Sequence, residues 1–321
     1  RELCDSNHSV RVWLGIDSGS TTTKLALVAD DGEVVDSFYA SNEGEPLAIA
    51  RDALIALRDR YASAGIRLDI AGVGVTGYGE DLFASAFSAD CHTVETVAHA
   101  RAARAFVPDA SFILDIGGQD MKAMWVEDGI VRDIVVNEAC SSGCGSFLEN
   151  FAQSLGIQTS DIAKAAFRSE HPAHLGSRCT VFMNSSIVSE QKNGRTPDDI
   201  MAGLCRSIIE NVFTKVIRVS NLDSLGDRIV VQGGTFANDA VLRALEAYVG
   251  RNVVRAPYPG LMGAIGCALI ARDRNAGEKS SFIGLDALDG FAFTTQANVP
   301  CDKCANRCAR TVVSFSDGRA F

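Results

Sequence analysis

The sequence lacks an excess of positive charge, a bilayer-length apolar run and a secretory leader. Its 30 basic and 40 acidic residues give a formal net charge of −10, which argues against broad binding of nucleic acids or anionic membranes. The longest strongly apolar run, Leu261–Ala271, is too short to cross a bilayer. The first residues, RELCDSNHSVR, are polar. We therefore expect a cytoplasmic protein with neither nucleic-acid nor membrane partners.

Cysteine, by contrast, is plentiful, with ten in 321 residues. Without a secretory leader, this number indicates reduced thiols or metal ligation rather than a disulfide framework. The length suffices for two lobes with a large core, and 47% hydrophobic residues are ordinary for a globular protein. The chain opens without methionine, so a fragment of a longer protein stays open as an alternative.

The stretch NEACSSGCGSF at 137–147 separates a strand-like run from an amphipathic one. Apolar residues between 147 and 155 recur at helical spacing, and Ser141 and Ser142 are typical of a helix start. We therefore expect Cys140 on a tight turn at a helix N-terminus, where the helix dipole stabilises a thiolate or an anionic cluster held by thiolates. A buried, inert cysteine is the alternative.

A turn rich in Gly, Ser and Thr, GIDSGSTTTK at 15–24, joins two strand-like runs. Such a turn offers backbone N–H and hydroxyl donors to phosphate, although it is not the P-loop motif. Asp17, at the strand end, is a candidate to hold Mg²⁺ through water or to orient an attacking water. An ordinary polar turn is the alternative. The candidate nucleotide-binding residues here are Ser18, Gly19, Ser20, Thr21, Thr22, Thr23 and Lys24.

The order of strand, Asp, Gly-rich turn and strand recurs at 111–126, where the turn reads LDIGGQD. Two such elements about 100 residues apart predict two similar lobes, each offering a phosphate loop to one cleft. The further candidate catalytic residues are Asp115 and Gln119. The further candidate nucleotide-binding residues are Gly117, Gly118 and Asp120.

A third Gly-Gly turn, QGGT at 232–235, follows a strand-like run and precedes a helix start at Asn238. It suits the ribose, base or α-phosphate of a nucleotide. The candidate residues are Gly233, Gly234, Thr235 and Asn238. A fourth Gly-rich turn, TGYG at 76–79, is a weak signal by itself.

Two other patterns are predicted to be structural. Glu95 and His99 lie four residues apart on a predicted helix at 93–106, where a polar helix face is favoured over a metal pair. A long helix is predicted from Pro197 to Val219. Cys205 within it, and Cys267 in a later small-residue helix, are predicted to be packing residues.

The tail carries three more cysteines close together: Cys301, Cys304 and Cys308. This spacing favours a metal site over reduced surface thiols. A fourth ligand could come from Cys4, from solvent or from sequence beyond Phe321.

Together these elements resemble the ATPase activator components of 2-hydroxyacyl-CoA dehydratases, a group that includes the activating subunits of ATP-dependent benzoyl-CoA reductases. The resemblance covers about residues 12–272. Its motifs are GIDSGSTTTK (15–24), TGYG (76–79), LDIGGQD (114–120), NEACSSGCG (137–145), SRCTVF (177–182), VQGGTFAN (231–238) and MGAIGCA (262–268).

The resemblance implies an α/β fold with two duplicated lobes of the actin/Hsp70/sugar-kinase (ribonuclease H-like, ASKHA) type around an ATP cleft. It implies a homodimer that shares one 4Fe-4S cluster, held by Cys140 and Cys179 of each subunit. The implied lobes are 10–107, completed by a returning helix at 260–272, and 108–259, which carries the cluster cysteines. Residues 273–321 form an extension with the Cys-rich tail.

The implied activity is ATP-driven, anaerobic electron transfer. Reduced ferredoxin or flavodoxin supplies an electron, and MgATP binding and hydrolysis to ADP drive its delivery to a dehydratase or reductase. By the same resemblance, Ser20–Lys24 and Gly117–Asp120 line the phosphates, and Gly233 and Gly234 lie near the nucleoside. Cys144 stands where the family often has Thr, so it is either a spare ligand or a filler of a Thr-sized space.

Two other functions stay open. A sugar kinase of the same fold accounts for the phosphate loops but for no cysteine. A non-enzymatic iron–sulfur sensor would bind nucleotide without turnover. The Cys-rich tail also leaves open that this chain is the activator domain of a larger multidomain relative.

Overall fold

The computed structural model describes residues 8–137, 143–177, 180–275 and 277–321, with only the backbone described at 180 and 181. Cys4, Cys140 and Cys179 lie outside the described residues. The chain forms two compact units. The first contains the described residues up to Ala98 together with Gly263–Phe321, and the second is His99–Met262. The lobe and extension boundaries expected from the sequence stay predictions.

The elements of the described residues are as follows. The strands are β1 (Ser9–Ser18), β2 (Thr22–Val28), β3 (Val34–Ser41), β4 (Arg67–Thr76), β5 (Cys91–His92), β6 (Phe112–Ile116), β7 (Met121–Glu127), β8 (Ile130–Asn137), β9 (Ile229–Gln232), β10 (Val254–Arg255), β11 (Phe293–Pro300) and β12 (Ala309–Phe315). The helices are α1 (Pro46–Ser63), α2 (Glu80–Phe87), α3 (Glu95–Phe106), α4 (Gly145–Ser154), α5 (Ile162–Arg168), α6 (Thr180–Lys192), α7 (Pro197–Asn211), α8 (Asp239–Val249) and α9 (Met262–Arg274). No helix within the described ranges is long and apolar enough to cross a membrane.

Each unit is built on a mixed sheet, and the two sheets have the same plan. Among the described residues, the strand order is β3-β2-β1-β4-β5 in the first unit and β8-β7-β6-β9-β10 in the second. In both, the first three strands are antiparallel and the last two run parallel to the central strand. This repetition agrees with the predicted duplication.

The central strands β1 and β6 are covered on both faces. β1 is buried from Val12 to Ser18, and β6 is buried throughout. A strand that packs on both faces reads as a continuous apolar run rather than as an alternating one. This is why VWLGI and FILDI could be recognised from the sequence. In both units, therefore, the buried central strand carries an Asp near its carboxyl end, just before a Gly-rich turn.

Helix α7 corrects one expectation. The predicted helix from Pro197 to Val219 ends as an α-helix at Asn211 and continues as a π-helical turn over Val212–Val216. Its start is fixed by a capping box: the hydroxyl of Thr196 accepts from the Asp199 N–H, and the Asp199 carboxylate accepts from the Thr196 N–H. Cys205 lies buried on this helix, as predicted for a packing residue.

The C-terminal segment adds to the core of the first unit. Leu288, Phe291, Val313 and Phe315 join the same apolar cluster as strand β1 and helix α1. Arg58 of α1 donates to both carboxylate oxygens of Asp289, at 2.8 and 2.9 Å. An exposed pair of this kind adds little free energy, so the buried side chains hold the segment in place.

Helix α9 lies against β1 and β4 at backbone distance, which requires glycine on the strands. A Cβ atom added to Gly15 would lie 1.8 Å from the carbonyl oxygen of Ala264, and one added to Gly74 would lie 2.2 Å from that of Cys267. No side chain fits there without moving the helix. The small residues GAIGCA of α9 are explained by this close approach.

We therefore expect Gly15→Ala to lower the free energy of unfolding by about 2–3 kcal/mol, since overpacking a core displaces backbone. Urea or thermal unfolding followed by circular dichroism measures the change. Gly290→Ala is the matched control, because a Cβ atom there meets no atom within 4 Å. Equal midpoints for the two variants would contradict the proposed contact.

Candidate functional site

The first turn places a buried carboxylate beside a lysine. Asp17, which is 1% exposed at the end of β1, is the cross-strand partner of Lys24 on β2. Lys24 Nζ donates to Asp17 Oδ2 at 2.9 Å. Burial alone would lower the pKa of Lys24, but the charge and hydrogen bond of Asp17 raise it above its usual value. Lys24 is therefore positively charged at any physiological pH.

The other oxygen of Asp17 has unused bonding capacity. Asp17 Oδ1 is buried and has no hydrogen-bond partner among the described residues. A buried acceptor without a donor is costly unless water, a metal ion or a ligand satisfies it. Carboxylate oxygens are suitable Mg²⁺ ligands, directly or through water. This oxygen therefore fits the role expected for Asp17.

Asn42, which sequence inspection missed, holds the turn 19–21 in shape. Its side-chain N–H donates to the Gly19 carbonyl at 2.8 Å, and its backbone N–H donates to the Thr21 carbonyl at 2.9 Å. The hydroxyl of Thr23 is buried and donates to Asn42 Oδ1 at 2.7 Å. Thr23 therefore supports the turn from inside, while Ser20 and Thr21 are exposed at its tip.

The TGYG turn packs directly on the first turn. The Gly79 N–H donates to the Ser18 carbonyl at 3.1 Å. Gly77 has a φ of +93°, and a Cβ atom added to it would lie 2.8 Å from Asp17 Oδ1. Its positive φ and this close approach both require glycine. The TGYG motif, a weak signal by itself, thus forms a second turn that packs beside Asp17.

The second turn repeats the buried carboxylate with different partners. Asp115, at the end of β6, is 2% exposed. Its Oδ2 accepts from a ring nitrogen of His99 on α3 and, at 2.9 Å, from the side-chain amide of Gln232 on β9. On the polar helix face predicted for Glu95 and His99, His99 is buried. The i, i+4 pattern identified the helix but could not reveal that His99 lies against Asp115.

These partners determine the charge of Asp115. Burial would raise its pKa, but the charge and hydrogen bond of His99, with smaller effects of Lys122 and Gln232, lower the pKa well below its usual range. The carboxylate therefore stays ionised in a site nearly closed to water. Such a group can orient a water molecule or a metal ion without changing its own charge.

Lys122 is a second residue that sequence inspection missed. It is the cross-strand partner of Asp115, as Lys24 is of Asp17. Lys122 is buried, and its ammonium group pairs with the Asp120 carboxylate. A sequence signal existed, since D-x-G-x-x-x-x-K occurs at both 17–24 and 115–122. The lysine recurs at the equivalent position in both units, so the duplication includes this charged residue as well as the Asp and the turn.

The third turn contacts the second. Gly233 has a φ of +90°, and a Cβ atom there would lie 2.2 Å from the Ile116 carbonyl oxygen. The hydroxyl of Thr235 donates to the Gly117 carbonyl at 3.1 Å. Asn238 caps α8, its side chain accepting from the Ala240 N–H at 2.9 Å. The Asn238 oxygen is thus engaged in its own helix.

Helix α4 is anchored on the same turn. The N–H groups of Gly145 and Ser146 donate to the carbonyls of Gly117 and Gly118, both at 2.8 Å. A Cβ atom added to Gly145 would lie 2.6 Å from the Thr235 hydroxyl. The second turn, the third turn and the start of α4 therefore form one connected set of contacts within the second unit.

Seven of the ten cysteines lie in the family motifs or in the tail. Cys140 and Cys179 are outside the described residues. Cys144 is buried and is the N-cap residue of α4, and Cys267 is buried on α9, as predicted for a packing residue. The tail cysteines lie in the loop between β11 and β12, and Cys304 and Cys308 are exposed.

The candidate residues therefore gather around two carboxylates, one in each unit. In the first unit these are Asp17, Ser18, Gly19, Ser20, Thr21, Thr22, Thr23 and Lys24. In the second they are Asp115, Gly117, Gly118, Gln119, Asp120, Gly233, Gly234 and Thr235, followed by Asn238. Asn42, His99, Lys122 and Gln232 are added by the structure.

Comparison with known sequences identifies relatives. A model of the BadF/BadG/BcrA/BcrD ATPase family matches residues 14–271. The (R)-2-hydroxyglutaryl-CoA dehydratase activating ATPase of Acidaminococcus fermentans is 32% identical over 263 residues, which are 82% of this chain and 98% of that relative.

Solved structures confirm the fold. The activator of the 2-hydroxyisocaproyl-CoA dehydratase from Clostridium difficile, with bound ADPNP, has a TM-score of 0.70 and 28% identity over 82% of this chain and 94% of that one. A ROK family glucokinase from Streptomyces griseus, with a TM-score of 0.54 and 16% identity over 82% and 99% of the two chains, shows the fold alone. The predicted actin/Hsp70/sugar-kinase type of fold is correct. Because the family model matches more than half of the sequence, the chain belongs to the BadF/BadG/BcrA/BcrD ATPase family.

Proposed function

We propose that this ATPase activates a 2-hydroxyacyl-CoA dehydratase, or a benzoyl-CoA-reductase-like enzyme, by delivering one electron to it at low potential. In this proposal two copies form a homodimer, and reduced ferredoxin or flavodoxin is the electron donor. The relatives support the activator role, since one is named a dehydratase activating ATPase and another a dehydratase activator.

The nucleotide would lie on the Gly-rich turns. The ADPNP bound to the Clostridium difficile relative supports nucleotide binding by this chain. In this chain, backbone N–H groups and exposed hydroxyls of the turn tips would bind the phosphates, and Lys24 would add a positive charge. Asp17 is the candidate to hold Mg²⁺ or its water, because its Oδ1 is buried and has no partner among the described residues. Asp115 is a second buried carboxylate, suited to orienting a water.

Cys140 and Cys179 would hold the iron–sulfur cluster, two from each subunit. Thiolates are the donor set of a 4Fe-4S cluster, which supplies one-electron chemistry when bound. Helix α6 begins at Thr180, the residue after Cys179. Helix α4 begins five residues after Cys140. The positive end of a helix dipole favours negative charge near its first turn, which supports the assignment of Cys179.

The observation that carries the proposal is the anchoring of α4 on the second turn. Two N–H groups at the start of α4 donate to the carbonyls of Gly117 and Gly118. The family resemblance assigns these two residues to the binding of the nucleotide phosphates. A change in the turn on nucleotide binding or hydrolysis would therefore move the start of α4, to which the Cys140 stretch leads. Such a linkage lets ATP bias the surroundings of the cluster ligands.

Cys140→Ser or Cys179→Ser should remove the cluster, because each leaves it one thiolate short per subunit. Anaerobic purification followed by iron, sulfide and mass measurements tests this, with about four iron and four sulfide per dimer expected for the unsubstituted protein. Cys205→Ala is the matched control, since Cys205 is buried on α7 and should not alter iron content. Normal cluster absorption in either Ser variant would refute the ligand assignment.

Asp17→Asn should lower ATP hydrolysis by about 100-fold or more while nucleotide binding persists, because the amide keeps the shape but loses the charge that positions metal and water. Steady-state phosphate release and nucleotide titration separate the two effects. Asp128→Asn is the control, since Asp128 lies on a hairpin turn with a φ of +51° that Asn also adopts. Unimpaired hydrolysis in Asp17→Asn would exclude the role.

His99→Asn should make the protein more sensitive to acid. Asp115 has a lowered pKa, so it stabilises the folded state above about pH 3.9, and this contribution is lost as the pH falls. Without the charge of His99 the folded-state pKa of Asp115 rises towards its unfolded value, so less of this stabilising free energy remains above about pH 3.9 and the less stable protein unfolds at a higher pH. Acid unfolding followed by circular dichroism should shift upwards by about 0.5–1 pH unit.

The control for this shift is His92→Asn, because the side chain of His92 is 56% exposed. An identical acid midpoint in the His99 and His92 variants would mean that His99 does not hold Asp115 in its ionised form. The pH profile of ATP hydrolysis should show the same difference between the two variants.

A further inference from the structure

The three tail cysteines lie together at the tip of a β-hairpin. Strands β11 and β12 are antiparallel, and their register ends at Pro300 opposite Ala309. The Cys301 N–H then donates to the Cys308 carbonyl at 2.9 Å, which extends the ladder by one pair. The eight-residue loop 301–308 thus begins and ends with a cysteine. It lies beyond residue 271, where the family match ends.

The ladder brings two of the sulfur-bearing side chains to the same side. Residues directly opposite in an antiparallel pair point to one face, with Cβ atoms about 4.5–5.5 Å apart. Two thiolates on one tetrahedral zinc ion lie about 3.8 Å apart, given a Zn–S bond of about 2.3 Å. Cys301 and Cys308 can therefore reach one ion by side-chain rotation alone.

The third cysteine lies on a turn within the same loop. The Arg307 N–H donates to the Cys304 carbonyl at 3.3 Å, and Arg307 has a φ of +44°. This turn folds the loop back between Cys304 and Cys308. The three sulfurs are not all within 4.8 Å of one another, since among the described residues only Glu80, Asp81 and His92 meet that limit. Metal binding thus requires these side chains to rotate. Cys304 and Cys308 have room to do so because they are exposed.

The charge around the loop favours an anionic metal complex. Zinc bound to three thiolates carries a net charge of −1. Lys303 and Arg307 lie in the loop, Arg310 follows it, and Asp302 is its one acidic residue. Nearby positive side chains stabilise thiolates and the complexes they form. A Cys-x-x-Cys spacing in a tight loop is also typical of zinc sites.

We propose that the tip of this hairpin binds one Zn²⁺ ion through Cys301, Cys304 and Cys308. The fourth coordination position is left to water or to a group from another molecule. This site is separate from the cluster proposed for Cys140 and Cys179, and neither proposal depends on the other.

The test uses the full chain carrying Cys140→Ser and Cys179→Ser, so that the proposed cluster ligands do not contribute. After reduction and chelation, this protein should bind one equivalent of Co²⁺ with the thiolate-to-cobalt charge-transfer band of a tetrahedral site, and Zn²⁺ should displace it. Adding Cys301→Ser, Cys304→Ser and Cys308→Ser should abolish the band and the bound equivalent. Adding Asp302→Asn instead should change neither, because it leaves all three thiolates in place.

Three results would overturn the proposal. The first is equal metal binding with and without the three tail cysteines. The second is loss of the bound equivalent in Asp302→Asn, which would mean that a carboxylate is a ligand. The third is uptake of iron and sulfide at the tip with no zinc binding, which would make the tip an iron–sulfur site.

A second measurement uses the unsubstituted protein, in case the substituted background does not fold. Zn²⁺ should protect Cys301, Cys304 and Cys308 from alkylation by iodoacetamide in reducing buffer, as read by peptide mass spectrometry. Unchanged labelling of all three cysteines at saturating Zn²⁺ would reject the site. A Cys301–Cys308 disulfide that persists in reductant would also reject it.

Discussion

A buried carboxylate at the end of a central strand is the constraint on which the rest of the site depends. Removing a carboxylate from water costs several kcal/mol unless opposite charges and hydrogen bonds compensate for the lost hydration. Both sheets place a lysine opposite the carboxylate, Lys24 opposite Asp17 and Lys122 opposite Asp115. In the second sheet, the hydrogen bonds to Asp115 come from His99 and Gln232. A short Gly-rich turn lies between each Asp and its Lys. The cross-strand pairing of the two residues fixes both ends of this turn.

The two units solve the same problem differently. In the first, the lysine binds the carboxylate directly, and one oxygen of Asp17 keeps no partner among the described residues. In the second, His99 and Gln232 bind Asp115, while Lys122 pairs with Asp120. One carboxylate therefore retains an oxygen for an external ligand, and the other is held by donors from two neighbouring elements. Duplicated folds can divide chemical roles in this way.

The second turn is hydrogen-bonded to a helix start through two N–H groups, whereas among the described residues the first turn accepts one such bond, from Gly79 at the N-cap of α2. The carbonyls of the second turn accept from the start of α4, and its neighbour Thr235 touches the same carbonyl as Gly145. Hydrogen bonds between a ligand-binding turn and a helix end transmit small displacements, because a helix moves as a rigid body more easily than it bends. This links the turn proposed to bind the nucleotide to the segment that leads from Cys140.

The sequence by itself determined the family, the α/β class and the order of the motifs, because these depend on local patterns. Apolar runs followed by Asp or Gln and then glycine mark buried strands and turns, and they were identified at 15–24, 114–120 and 232–235. The tertiary structure alone decided which side chains meet. Asn42 and His99 come from distant segments, so no local pattern could assign them to the turns. The π-helical end of α7 and the burial of Thr23 were likewise seen only in the tertiary structure.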